Sequence, residues 1–344
     1  MFKVAIVILN WNGKKFLEKL LEPLLENVNG HLTGLFIADN GSTDNSVEFI
    51  KKEYPNINLI LFDKNYGFAE GYNMALKKIE SEYFILLNSD VEVTKNWIAP
   101  VINLMDYDKN IAACMPKIRS YHEKDYFEYA GAAGGYIDKY GYPFCRGRII
   151  GNIEKDSGQY DNSTEIFWAT GACMFIRADL FKKAGGFDPL FFAHMEEIDL
   201  CWRLKNMGYK IMFTPGSTVY HIGGGTLPNN SPQKIYLNFR NNLFLLLKNL
   251  PSEVVIRRLF SRMVLDGIAA LVFLLTFRFS FFKAVLRAHK DFYYNIKSLS
   301  KRKNESISDI RPRLHKEMFK KSIIWEFYIS KRKKFSNLKF KINQ

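Results

Sequence analysis

Asn88-Ser89-Asp90, Glu196-Glu197-Ile198-Asp199 and His221 are the residues whose types could do chemistry together. The first cluster comes straight after Tyr83-Phe84-Ile85-Leu86-Leu87, an apolar run that reads as a buried parallel strand. At the end of such a strand Asp90 is placed to hold a divalent cation, Mg²⁺ or Mn²⁺, against a phosphate, because hard cations take oxygen ligands. A loop aspartate can equally make a turn; the strand terminus favours the metal. His221 could add a second ligand, and Glu196 or Glu197 a general base. Such a set suits metal-assisted displacement at a sugar diphosphate.

Each residue has a plainer role beside the chemical one. Acids in a first helical turn complement the helix dipole, so Glu196 and Glu197 could serve structure alone. Asp199 and Arg203, four apart, are expected to pair on the surface, and Trp202 to lie in the core. His221 gains weight from Gly223-Gly224-Gly225-Thr226, a segment able to turn backbone N–H groups towards phosphates.

The elements that must position these groups alternate. Val4–Leu9 reads as a strand, and Phe16, Leu17, Leu20, Leu21, Leu24 and Leu25 recur at helical spacing. Leu35–Ala38 is a second strand, with Ser42, Thr43 or Asp44 able to cap the helix after it. Ile57–Phe62 is a third, followed by a helix with Tyr72, Ala75, Leu76 and Ile79 on one face, and Tyr83–Leu87 is the fourth. This alternation predicts a mostly parallel α/β sheet. The four strands hand over to Asn10-Trp11-Asn12-Gly13, Asp39-Asn40-Gly41-Ser42, Asp63-Lys64-Asn65 and Asn88-Ser89-Asp90. Ligands of open α/β sheets bind outside the carboxyl ends of the strands, so the four clusters should converge on one crevice. Asp39 could accept N3–H of a uracil or thymine ring, or only shape a turn and cap a helix. Residues 121–165 show no period and read as an irregular cover over the site.

The chain has 344 residues and a net charge of +14, and the charge is not spread evenly. Residues 1–250 carry 27 Lys and Arg against 28 Asp and Glu, while residues 251–344 carry 22 against 7. Beyond about residue 235 the sequence reads as helical. Its most apolar piece, residues 267–277, would reach about 16 Å as a helix, half of a bilayer core, so an interfacial helix is expected rather than a span. Lys331-Arg332-Lys333-Lys334 adds a polybasic tail. The four cysteines lie far apart with no CxxC, as free thiols in a reducing cytosol would. The first strand is too short and too quickly polar for a secretion signal, so the expected location is cytoplasmic. No GxGxxG follows the first strand, and no GxxxxGK[ST] or HExxH occurs, which disfavours dinucleotide, P-loop and zincin chemistry.

The sequence resembles an inverting glycosyltransferase of family 2, with the GT-A fold, near its rhamnosyltransferase-like branch. Residues 4–12, 38–44, 65–73, 87–90, 171–174, 185–188, 196–203 and His221 carry the resemblance, in order, over roughly residues 3–245. It implies a Rossmann-like, mostly parallel sheet with flanking helices, followed by a helical basic C-terminal region. The nucleotide-sugar half would be residues 1–120, the acceptor and catalytic half 121–250, and a membrane-surface region 251–344. By the resemblance Asp39 contacts the pyrimidine, and Asn10, Asn65 and Gly67 lie against the nucleoside. Trp11, Asn73 and Ser89, in the same stretches, are further donor contacts. Asp90 and His221 would hold Mn²⁺ or Mg²⁺, and Glu197, beside Glu196, stands where the family keeps its catalytic base. Two departures are visible: Asn88 replaces the first acid of the DxD motif, and Glu197 replaces the usual Asp.

The implied reaction moves a sugar from a UDP- or dTDP-sugar, dTDP-rhamnose among them, to a glycan or lipid-linked acceptor. The implied partners are the nucleoside-diphosphate sugar, that acceptor and an anionic membrane surface reached from the cytoplasm through the C-terminal region. Two competing readings are a sugar-nucleotide-binding protein without catalysis and a basic nucleic-acid binder. Balanced charge and core-periodic aromatics in residues 1–250 weigh against nucleic acid.

Overall fold

A computed structural model describes residues 1–28, 32–223, 231–305 and 312–340, with the side chains of 302–305 left aside. Its first third is the alternation expected: β1 (Phe2–Asn10), α1 (Lys14–Glu26), β2 (Thr33–Asp39), α2 (Ser46–Glu53), β3 (Asn58–Leu61), α3 (Gly67–Leu76) and β4 (Ser81–Leu87). Then come β5 (Val91–Val93), α4 (Ala99–Tyr107) and β6 (Ile111–Ser120). The continuous apolar runs of β1, β2 and β4 are buried because helices cover both faces of the sheet they build.

The middle of the chain gives β7 (Gly135–Asp138), β8 (Pro143–Cys145), β9 (Arg148–Ile149), β10 (Asn152–Ile153), β11 (Thr164–Ile166), β12 (Cys173–Arg177) and α5 (Ala178–Lys183). After these come α6 (Glu196–Asn206), β13 (Lys210–His221), α7 (Pro232–Asn249), α8 (Ser252–Leu275), α9 (Phe279–Glu305), β14 (Met318–Phe319) and α10 (Ile323–Tyr328).

Among the described residues the main sheet runs β11-β13-β6-β12-β4-β1-β2-β3, with β5 added against β13. It is mixed. β1, β2, β3 and β4 pair in parallel, as do β6 and β13, while β12 lies antiparallel between β4 and β6. The β13 register shifts between Thr214 and Thr218, a bulge that bends the strand and fixes His221 opposite Ser120 and Val91. Trp97, Trp202, Tyr72 and Tyr83 are fully buried at the centre.

Three expectations change. Residues 121–165 are not merely irregular, for they hold most of a second sheet in the order β10-β9-β8-β7-β14. The chain beyond residue 312 is not a free basic tail: β14 pairs with β7, Arg332 binds Glu326, and the Lys333 carbonyl accepts from Asn152 at 2.9 Å. Asp199 and Arg203 do pair, at 2.8 Å, but in the interior, because Lys248 and Asn249 of α7 cover Asp199. No helix among the described residues is long and apolar enough to cross a membrane.

Candidate active site

The carboxyl ends of β1 and β2 lie side by side, Asn10 opposite Asp39. Asn10 Nδ2 donates to Asp39 Oδ2 at 3.0 Å and to Ser42 Oγ at 3.2 Å, and Ser42 N–H donates to Asp39 Oδ1 at 2.9 Å. Asn10 Oδ1 is buried without a partner, an acceptor available to a ligand. Gly13 lets α1 start close by: a Cβ there would collide with Asn10 Oδ1 and stand 3.2 Å from Ser89 Oγ. Asn10, Asp39 and Ser89 therefore share one corner, with Trp11 41% exposed at its rim.

The loop after β3 is tied to the same corner through Asn40, a buried member of the cluster after β2 to which the sequence assigned no role of its own. Its Nδ2 donates to Asn65 Oδ1 at 3.1 Å and to the Gly67 carbonyl at 3.0 Å, and its Oδ1 accepts from Tyr66 N–H at 3.0 Å. Asn65 and Gly67 are thus tied to Asn40, next to Asp39. Asn73 faces another way. Its amide is taken up by the Phe187 backbone, donating to the carbonyl at 2.8 Å and accepting from N–H at 2.9 Å.

Asp90 and His221 meet because β5 lays Val91 opposite His221. Asp90 Oδ1 is 3.1 Å from His221 Nε2, and both side chains are buried. On the other side of the ring, Nδ1 is 3.2 Å from Glu128 Oε2, near enough for charge attraction though poorly aligned for a hydrogen bond. Burial alone would lower the His221 pKa, but the hydrogen bond to Asp90 and the charges of Asp90 and Glu128 outweigh it and lift it to about 10. Asp90, which burial would raise, ends below its ordinary value because of His221. Glu128 lies in the stretch read as irregular and was missed; a lone Glu with no periodic context carries no sequence signal.

With the Nε2 proton of His221 displaced, these residues would fit a divalent cation. Two cis ligands about 2.1 Å from an octahedral ion stand about 3 Å apart, close to the Asp90–His221 separation. A carboxylate on the far nitrogen is the usual support for a metal-bound imidazole. Among the described residues no group of three or more His, Cys, Asp or Glu forms a cage, so diphosphate oxygens and water would have to complete the shell. Gly224, Gly225 and Thr226 lie outside the described residues.

Glu196 and Glu197 open α6 after a strained turn. Phe192, His194 and Met195 have φ of 63°, 70° and 73°, a left-handed conformation costly for side-chain-bearing residues. Phe68 and Ala69 N–H groups hold the Phe192 carbonyl at 2.8 and 3.2 Å. From α7, Asn241 Nδ2 lies 2.9, 2.9 and 2.7 Å from the carbonyls of Phe191, Ala193 and His194, and Arg240 donates to those of Leu190 and Phe191. Burial pushes the Glu197 carboxyl up to about 7, with helix-start N–H groups partly offsetting it. Burial and the adjacent Glu197 charge push Glu196 further. Each keeps a buried, unpartnered Oε2. Sequence reasoning missed Arg240 and Asn241, which act on main-chain carbonyls.

This mixed sheet with its flanking helices is the GT-A glycosyltransferase fold. The structure of GalNAc-T7 with UDP, GalNAc and Mn²⁺ superposes with a TM-score of 0.57 at 16% identity, covering 74% of this chain and 49% of that one. A family model described as glycosyl transferase family 2 matches residues 5–185, and the chain belongs to that family. Within it the chain is similar to rhamnosyltransferases. An N-acetylglucosaminyl-diphospho-decaprenol L-rhamnosyltransferase of Mycobacterium tuberculosis is 25% identical over 205 residues, 54% of this chain and 66% of that one, just under two thirds of its length. The rhamnosyltransferase WbbL of Escherichia coli K12 is 24% identical over 225 residues, 63% and 83% of the two chains.

Proposed function

We propose that this chain moves a sugar from a UDP- or dTDP-sugar, dTDP-rhamnose among them, to a hydroxyl of a glycan or lipid-linked acceptor, inverting the anomeric centre. The observation that carries the reading is the contact between Asp90 and His221, 3.1 Å apart in the fold and 131 residues apart in the chain. The names of the two bacterial rhamnosyltransferases support the donor class and, for the mycobacterial one, a lipid-linked acceptor.

In this reading residues 1–120 take the nucleotide sugar. Asn10, Trp11, Asp39, Asn65, Gly67 and Ser89 lie against or shape the place of the nucleoside and diphosphate, Asp39 facing the pyrimidine. Asn73 acts at one remove, by fixing Phe187. Residues 121–250 take the acceptor, and residues 251–344 meet the anionic inner face of the cell membrane, as their excess of basic residues suggests. Glu197 takes the acceptor hydroxyl proton while that oxygen forms a bond to the anomeric carbon and the bond to the diphosphate breaks on the opposite face. A carboxyl pushed up to about 7 suits that proton transfer near neutral pH. Glu196, held neutral, keeps a second negative charge away from the base. Mn²⁺ or Mg²⁺ held by Asp90 and His221 would neutralise charge on the departing diphosphate. Fixing two substrates in line could supply several kcal/mol, about 7–11 at the upper end.

Nucleoside diphosphate release from UDP-, dTDP- and GDP-sugars, with Mn²⁺ or Mg²⁺ and with and without lipid-diphosphate acceptors, tests it. Release from one donor that is lost in Asp90→Asn and Glu197→Gln is the expected result. Binding of a donor without release under every condition would leave a binding protein and overturn the enzyme.

A further inference from the structure

Helix α8 is apolar on two opposite faces, and the protein uses one of them. Val255, Leu259 and Ala270, with the Arg262–Asp266 pair, are buried against the fold. On the other side Ile256, Phe260, Val264, Ile268, Val272 and Leu275 remain exposed, Ile256 by 78% and Phe260 by 69%. Their spacing of four, four, four, four and three residues keeps them on one stripe, about 28 Å long at 1.5 Å per residue. At its end the turn into α9 adds Phe277, 80% exposed, and Phe279. Soluble surfaces rarely leave so continuous an apolar ridge without a partner.

The charge around the ridge identifies the partner. Arg257, Arg278, Lys283 and Lys290 are exposed beside it. Of the described acids of the hairpin, Glu253 is exposed in the first turn of α8, at the far end of the ridge from the Phe277–Phe279 turn, Asp266 is buried between Arg262 and His289, and Asp291 accepts from Tyr236 and stands 3.9 Å from Arg287. A second copy placed face to face would set these cations against themselves. A surface with an apolar interior and anionic headgroups satisfies both features.

We propose that the α8–α9 hairpin is a membrane wedge: the outer stripe of α8 and the Phe277–Phe279 turn lie in the acyl–headgroup boundary of an anionic leaflet, with the flanking Arg and Lys on phosphate. The wedge sits on the acceptor side of the site. Ala284 and Ala288 of α9 pack on Tyr236 and Leu237 of α7, with Ala193 against the same cluster, and α7 carries the Arg240–Asn241 clamp that precedes Glu197. The proposal deepens the enzyme reading by giving the membrane partner its residues, and it is tested without relying on turnover.

The full chain would be floated with vesicles of phosphatidylcholine alone and with roughly 30% phosphatidylglycerol. The wild type is expected on the anionic vesicles, less so at high salt. The triple variant Phe260→Ser, Ile268→Ser, Leu275→Ser, with far-UV circular dichroism unchanged, is expected to bind at least about tenfold more weakly. Arg257→Glu with Arg278→Glu is expected to weaken binding to the anionic vesicles alone. Equal binding of wild type and triple variant overturns the wedge. So does a wild type that ignores vesicles but dimerises through the same stripe, seen as a monomer in the triple variant by light scattering. Nucleoside diphosphate release without vesicles is expected to be unchanged in all variants. Failure of the enzyme reading would therefore leave the partitioning result intact.

Discussion

A Cβ on Gly67 would stand 2.6 Å from the Phe192 ring and 2.8 Å from the Phe192 carbonyl oxygen. The start of α3 therefore touches the strained turn that leads to Glu197. Gly67 also has φ of +77°, which a substituted residue adopts only with strain. Gly67→Ala should lower stability by about 1–3 kcal/mol and reduce kcat/KM for the donor sugar. Urea unfolding beside nucleoside diphosphate release checks both; unchanged values in the two assays would sever the link between α3 and the turn.

Glu197 makes a prediction about pH with an unusual sign. Its carboxyl is raised in the fold, so between about pH 4.5 and 7 the folded state holds the proton that the unfolded state has lost. The group's contribution to stability therefore falls as pH rises through that window and stays unfavourable above it. Glu197→Gln should abolish transfer yet stabilise the chain at pH 8 by on the order of 1–3 kcal/mol, with little gain at pH 4.5. Wild-type kcat should climb as pH passes about 7. A less stable variant at pH 8 would refute the burial of a charge there.

Glu128 is expected to tune metal binding through His221. Glu128→Gln should weaken Mn²⁺ affinity by about 10- to 100-fold, read by electron paramagnetic resonance of free Mn²⁺ without donor or acceptor. Asp90→Asn should be at least as weak. A Glu128→Gln protein with wild-type affinity would reduce the carboxylate to a loop contact with Ala130.

Asp199 anchors α6 to α7. Burial would raise its pKa, but Lys248 and Arg203 hold it down at about 2. Its stabilisation is present above the unfolded value near 3.8 and is lost as pH falls towards 2. Asp199→Ala leaves buried cations short of a partner and should cost about 3–5 kcal/mol at pH 7. The deficit should shrink at pH 2.5, in guanidinium titrations at the two values.

The N-terminal half was legible because its strands are continuous apolar runs and each ends in a polar cluster at a place where sheets of this kind bind ligands. Asp90, His221 and the Glu196–Glu197 pair could be picked out as candidates because their types are chemical and they follow recognisable elements, and the structure brings the first two into contact. The small sheet was not. Its strands are two to four residues long, and β14 supplies an edge from 181 residues away, Met318 opposite Ile137. Asn73 looked like a ligand contact because it lies in a motif beside Gly71 and Tyr72, yet its amide is spent on Phe187. Asp199 and Arg203 show the same limit. Four-residue spacing identifies the pair, but only α7, folding back over it, decides that the pair is interior.

The pairing of β14 with β7 also imposes an order on synthesis. The sheet from β1 to β4 is built of neighbouring segments and can form while the chain is still emerging. The small sheet must wait for Met318, which at 5–20 residues per second follows Ile137 by roughly 10–40 seconds. During that interval Phe144, later packed against Phe319 and Phe335, has no final cover. The aromatic middle of this chain thus stays without its final cover until nearly the whole chain has been made.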